Sequence, residues 1–185
     1  VSPEFAVSTV SRLEEAHEGA ISAAASANDS PAAFVTGDTS GALRLWSPQS
    51  MTPFVALPSI APSTECVTAV AIAGANFVAA SYGSGKVRLF LPTTGELRVE
   101  ISAHSRWIQA MSLHRESNLL ATTGDDEVVA VWQIPTPQNP RAGLVALKQL
   151  RNSLCTGIAF NQEGTAVIVA TFDNDKLVTY GLPSR

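Results

Sequence analysis

The stretch Thr123-Gly124-Asp125-Asp126-Glu127-Val128-Val129-Ala130-Val131-Trp132 (TGDDEVVAVW) decides how the rest of the chain is read. It is an acidic turn, then a short run rich in β-branched residues, closed by an aromatic ring. The same ending stands earlier as TGDTSGALRLW, Thr36 to Trp46, and as ASYGSGKVRLF, Ala80 to Phe90. It returns last as FDNDKLVTY, Phe172 to Tyr180. The closing aromatics are 44, 42 and 48 residues apart. Between the turns, apolar residues alternate with small or polar ones, as in Val67-Thr68-Ala69-Val70-Ala71-Ile72. That period of two predicts strands with one face more buried than the other. Helical periodicity is weak. The one candidate, Ser11 to Ala20, contains His17-Glu18-Gly19, which reads better as a turn.

A repeat of about 40–45 residues with four short strands is the signature of a propeller blade. One such unit cannot bury its own apolar face, so its neighbours must supply the rest of the core. The predicted fold is therefore all-β, with four blades of four antiparallel strands, a, b, c and outermost d. Ser40-Gly41 and Ser84-Gly85 stand between b and c, where glycine supplies the positive φ of a tight hairpin. Asp126-Glu127 and Asn174-Asp175 fill the same slots without glycine. Pro135-Thr136-Pro137-Gln138-Asn139-Pro140 is the longest breaker and is placed as a c–d loop that lengthens the third unit. Unit four has no d strand after Leu182, whereas Phe5–Leu13 (FAVSTVSRL) is a β-type run ahead of the first a strand. That run is the right type to complete blade four, within one chain or between two in a homodimer, or it belongs to a preceding blade. The expected organisation is thus residues 1–13 as an N-terminal strand and 14–185 as one domain of four blades. Ser2-Pro3-Glu4-Phe5 reads as a cloning scar, so residues 1–5 carry little weight as native sequence.

The bulk numbers narrow the function. Of the 185 residues 45% are hydrophobic and 15% charged, enough apolar content for a sizeable core and too much for a disordered chain. No apolar run reaches the ~20 residues of a membrane helix, so membrane insertion is not expected. No signal peptide is visible at the N-terminus. The net charge of −4, with 12 scattered Lys and Arg, argues against a nucleic-acid partner. Cys66 and Cys155 stand far apart and open β-type runs, which predicts free thiols and no metal site.

At these residues the chain resembles the WD-repeat β-propeller family. That family's blade carries a His near the start of strand a, a Ser or Thr in strand b, an Asp in the b–c turn and a Trp closing strand c. Unit three fits best, with His104, Thr122 or Thr123, Asp126 and Trp132. Unit one keeps His17, Thr36 and Trp46 but has Ser40 in the Asp slot. Units two and four lack the His, and Phe90 and Tyr180 replace the Trp. The resemblance implies that these residues lock each blade through a buried hydrogen-bonded chain, and losing one member would cost ~1–3 kcal/mol. From about Leu13 to Tyr180 the chain is similar to the C-terminal half of a longer member, which implies further blades before Val1, in a seven- or eight-blade propeller. The resemblance also implies a non-catalytic cytoplasmic scaffold for protein partners, and ciliary association is a further expectation.

No GxSxG, P-loop, HExxH or paired CxxC motif is present. No cofactor is expected. His114 is expected to be a solvated turn residue. The a strands ISAAAS, VTAVAI, IQAMSL and CTGIAF are small and apolar, which disfavours an enzyme built in the central channel. Binding residues are sought where the d–a and b–c loops share one face: Arg106, Trp107, Asp38, Tyr82, Asp125, Phe172 and Asp173. Exposed aromatics and arginines are the usual energetic centres of interfaces. A narrower alternative is a reader of a modified peptide tail, caged by Tyr82, Phe172, Asp125 and Asp173.

Overall fold

A computed structural model gives the structure of the chain. It describes residues 17–26, 34–46, 53–57 (backbone only), 65–73 and 76–183. Phe5–Leu13 and Ser2-Pro3-Glu4-Phe5 lie outside the described residues.

The strands follow one another in four antiparallel meanders. Blade one comprises β1 (Ile21–Ser26), β2 (Phe34–Asp38), β3 (Leu43–Trp46) and β4 (Pro53–Leu57). Blade two comprises β5 (Val67–Ala73), β6 (Phe77–Tyr82), β7 (Lys86–Phe90) and β8 (Leu97–Ser102). Blade three comprises β9 (Ile108–His114), β10 (Leu119–Gly124), β11 (Val128–Gln133) and β12 (Gly143–Gln149). Blade four has three strands among the described residues, β13 (Cys155–Phe160), β14 (Ala166–Thr171) and β15 (Leu177–Gly181). No helix forms among the described residues.

The first strands β1, β5, β9 and β13 pack on one another in sequence, and no packing of comparable extent joins β13 to β1 among the described residues. The sheets therefore make an unclosed, partial propeller. Among the described residues its core is three apolar clusters, each sandwiched between two neighbouring blades. Val35, Leu43 and Leu45 meet Val67, Ile72 and Phe90 between blades one and two. Ala79, Val87 and Leu89 meet Ile108, Leu120 and Ile134 between two and three. Leu119, Val129 and Val131 meet Cys155, Val167 and Val169 between three and four. Strands in the middle of the blades are covered on both faces, so β10 (LLATTG) is buried throughout and uses small or apolar residues on both sides. The end strands β1 and β15 alternate weakly and stay largely exposed, and among the described residues each has a neighbouring blade on one side only.

Two irregularities recur and set the site. In every blade the register between the first two strands shifts at the start of the first strand, at Ile21/Ala23, Val67/Ala69, Thr123/Gly124 and Cys155/Gly157. A bulge there bends the incoming loop over the blade end. The b–c turns need a residue with positive φ, and it falls on Gly41 (94°), Gly85 (85°) and Glu127 (62°). In blade four it falls on Asp173 (53°), ahead of the Asn174-Asp175 pair expected to take it. The register explains the displacement. Val169 pairs with Val178 as Thr122 pairs with Ala130, yet the turn between them holds one more residue. The 48-residue gap thus arises from this extra turn residue as well as from the proline loop. Both cysteines are free, and burial raises the Cys155 thiol, so it stays protonated.

Candidate interaction face and the locks behind it

In blade three His104 Nδ1 lies 2.8 Å from Asp126 Oδ1, and its Nε2 lies 2.8 Å from Thr122 Oγ1. Trp132 Nε1 donates to the same Thr122 oxygen at 3.4 Å. Counting donors fixes both ends of the chain. Trp132 N–H gives to Thr122, and Nδ1–H gives to the Asp126 carboxylate, which can only accept, while Nε2 shares a hydrogen bond with the Thr122 hydroxyl. The other Asp126 oxygen accepts the backbone N–H of Ser105 at 2.8 Å, which ties the d–a loop to the turn. Burial alone would raise the Asp126 carboxyl. The hydrogen bonds from Ser105, His104 and Val128 outweigh it and hold the group below the ordinary carboxylate value.

Blade one builds the same chain with one exchange. His17 Nε2 lies 2.6 Å from Thr36 Oγ1, and Trp46 Nε1 donates to that oxygen at 2.9 Å. The carboxylate facing His17 Nδ1, at 2.8 Å, is Asp38. By register Ser40 does occupy the slot of Asp126, and Asp38 stands opposite Ile21 where Gly124 stands opposite Ile108. Ser40 serves the acid instead of replacing it: its N–H and hydroxyl donate to Asp38 Oδ1 at 2.8 and 2.7 Å, and Ala42 N–H adds a third bond at 3.0 Å. Burial would raise the Asp38 carboxyl, but these bonds and His17 bring it below its ordinary value. The expectation that Asp38 meets a partner is therefore corrected, because its side chain is fully buried in the lock.

Blade two has Ala80 and Phe90 at the positions of Thr122 and Trp132, both fully buried. Acceptor and donor are lost together, so neither is left unsatisfied. Tyr82 takes the position of Asp38 and is also corrected as a partner residue: it is 1% exposed and packs in the cluster between blades one and two. The Arg88 guanidinium lies 4.5 Å from its ring centre. Arg88 itself is held by Glu65 at 2.6 Å and Glu100 at 2.8 Å. Burial pushes the Tyr82 hydroxyl up to about 12, against the pull of Arg88, and the hydroxyl finds no hydrogen-bond partner among the described residues. A cage for a modified tail thereby loses its Tyr82 wall. Blade four has Val169 and Tyr180 at the two lock positions, with Lys148 over the Tyr180 ring.

In front of the locks, four equivalent bonds cross the blade ends. Thr39 N–H donates to Ala20, Gly83 to Cys66, Asp125 to Trp107 and Phe172 to Leu154, at 2.7 to 3.0 Å. The first two rungs carry small groups; the last two carry large ones. Trp107 is 41% exposed, Leu154 41% and Phe172 69%. Trp107 also bridges blades, since a Cβ on Gly83 would stand 2.5 Å from its indole carbon Cζ3. One face of the indole thus packs on blade two while the rest stays open. Arg106 is exposed beside it, and Asp125 is half-buried with Gln109 Nε2 donating to it at 2.8 Å. Asp173 is exposed at the strained turn position. Leu154 was not singled out in the sequence, although it precedes its a strand as Trp107 does.

His114 is not a free turn residue. Its Nε2 donates to Gln162 O of blade four at 3.0 Å, its Nδ1 accepts from Ser117 at 2.6 Å, and its ring rests on Phe160. It ties blades three and four at the end opposite the locks.

Residues 13–180 match the WDR54 family model. The chain is 30% identical over 167 residues to WD repeat-containing protein 54 of Mus musculus, a match covering 85% of this chain and 47% of that protein. To the protein of the same description in Homo sapiens it is 31% identical over 159 residues, covering 80% and 45%. The chain spans about half the length of these curated relatives. Among solved structures, the computationally designed Ika4 protein superposes with a TM-score of 0.72 at 21% identity, covering 91% of this chain and 95% of Ika4. The designed Ika8 protein gives 0.71 at 22% identity, covering 90% of this chain and 47% of Ika8. Those two likenesses speak for the fold alone.

Proposed function

This chain belongs to the WDR54 family, and from that we propose that it is a non-catalytic scaffold that seats a protein partner on the loop face carrying Arg106, Trp107, Leu154 and Phe172. Family membership supports a protein-interaction role in general. The observation that carries the particular face is the shared exposure of Trp107, Leu154 and Phe172 at equivalent blade-end positions of the neighbouring blades three and four, the first of them a locked blade. Rigid exposed aromatics bury large area at small entropic cost, which is what binding centres need. Capture from cell lysate with the whole chain, beside Trp107→Ala and Phe172→Ala, tests this. Loss of the same bound protein in both variants supports the face; an unchanged bound set in both overturns it.

The open outer edge of β15 supports a second element. Leu177 is 70% and Val178 38% exposed, and the sheet of blade four stops at three strands among the described residues. We assign Phe5–Leu13 as the strand that completes it, either in the same chain or in a second copy. Light scattering over a dilution series separates the two, and removal of residues 1–13 that leaves mass and stability unchanged overturns both. The cytoplasm is our proposed location, on family membership alone, and imaging of the tagged full-length protein tests it.

A further inference from the structure

The proline loop of blade three serves neither the locks nor the loop face. Its shape is set in advance. Pro135, Pro137 and Pro140 fix their own φ, and Thr136 and Asn139 exchange backbone hydrogen bonds at 2.8 and 3.2 Å. The loop stands as a wall opposite β8. Between them lie two adjoining hollows of about 360 and 480 Å³ that share Arg98, Val99 and Pro140. Phe77 and Leu91 floor the first; Trp132 and Leu144 line the second. Four consecutive β8 residues, Arg98 to Ile101, face the second hollow. Alternate residues of a strand point to opposite faces, so four in a row means that the strand's edge looks into the groove. β8 pairs only with β7, which leaves that edge without a sheet partner among the described residues.

Charge selects the occupant. Glu96 is taken by Arg98 at 3.1 Å, and Glu100 by Arg88 and Lys86. Arg141 lines the same groove, is exposed, and forms no ion pair among the described residues. The groove therefore presents apolar walls, an open strand edge and one unanswered guanidinium.

We propose that this groove binds a short extended peptide of a partner protein, apolar at alternate positions and carrying a carboxylate for Arg141, which adds to the edge of β8. Strand addition supplies main-chain hydrogen bonds, and the hollows receive alternate side chains. A wall already fixed by prolines loses little freedom on binding. This site is separate from the loop face and stands or falls independently of it.

The test uses a random heptapeptide phage library selected on the whole 185-residue chain, followed by anisotropy with the enriched synthetic peptides. Enriched sequences are expected to alternate apolar residues and to carry Asp or Glu. Arg141→Glu should weaken them about tenfold and Leu144→Ala severalfold. Trp107→Ala and Phe172→Ala should leave them unchanged. Three results each overturn the proposal: no enrichment, affinity indifferent to Arg141→Glu, or affinity lost only in the loop-face variants. Arg141 and Leu144 are both exposed, so neither variant threatens the fold.

Discussion

Blades one and three close the same hydrogen-bonded chain with carboxylates that arrive from chain positions two residues apart. Blade three brings Asp126 from the turn and keeps Gly124 at the strand end. Blade one brings Asp38 from the strand end and keeps Ser40 in the turn. The two positions exclude each other in blade three, because a Cβ on Gly124 would stand 2.7 Å from His104 Nδ1 and 2.9 Å from Asp126 Oδ1. What the fold requires is a negative oxygen about 2.8 Å from Nδ1, a point in space that either position can reach. The Trp–Thr bond is also shorter in blade one, 2.9 against 3.4 Å, where Phe34 stacks on Trp46. Blade two removes the polar chain altogether and fills the space with Ala80 and Phe90.

The largest effect is expected where packing alone holds the blade. Phe90→Ala should cost ~3–5 kcal/mol, the loss of a buried ring plus the cavity it leaves. His104→Ala should cost less, ~1–3 kcal/mol, by stranding Thr122 and Asp126. Denaturant unfolding of both variants checks the order, and the reverse order would mean that the polar chain outweighs the apolar one.

The exchange itself can be transplanted. Gly124→Asp alone should destabilise by ~1–3 kcal/mol through crowding against His104. Adding Asp126→Ser, which copies blade one, should recover most of that loss. A double variant no more stable than the single one would show that the two arrangements are not equivalent.

Acid separates the locks from the rest of the structure. Asp38 and Asp126 are both held below their ordinary values, so in mild acid the unfolded chain binds more protons than the folded one at these groups. Their stabilisation is fully present above the unfolded carboxylate range, about 4, and is lost as pH falls through the lowered folded values. Asp38→Asn and Asp126→Asn should each flatten the acid limb of a stability–pH curve. An unchanged limb would place the acid sensitivity elsewhere. A smaller effect than at Phe90 is expected at Trp107→Ala, ~1–3 kcal/mol in stability, since only one face of the indole is packed and 41% of the residue is already in water; a drop in melting temperature as large as that of Phe90→Ala would assign it to the core.

Much of this was legible from one sequence. Strand order and the turn glycines at 41 and 85 follow from period and turn chemistry; the lock of blade three, with Thr122 or Thr123 as its hydroxyl, follows from the resemblance to the WD-repeat family. The misplaced residues share one cause: position along the chain stood in for position in space. Asp38 looked like a loop tip because the lock acid was sought in the slot of Ser40. Tyr82, next to Gly83-Ser84-Gly85, looked like a loop aromatic. The bulge at Val67/Ala69 aligns it with the strand end, and Arg88 covers its ring. His114 looked solvated because its partner, Gln162, is 48 residues away. Leu154 carried the same signal as Trp107, its place before an a strand, but a leucine there does not announce itself.

Among the described residues each of the three interblade clusters joins two neighbouring blades, which gives the described blades the character of a short one-dimensional array. Among the described residues blades two and three each lean on two cores, whereas blades one and four lean on one. Opening should therefore begin at the ends and travel inward, with amide protons of β6, β7 and β10 the last to exchange. A partner seated on blades three and four would then do more than dock: it would move the weak link from one end of the array to the other.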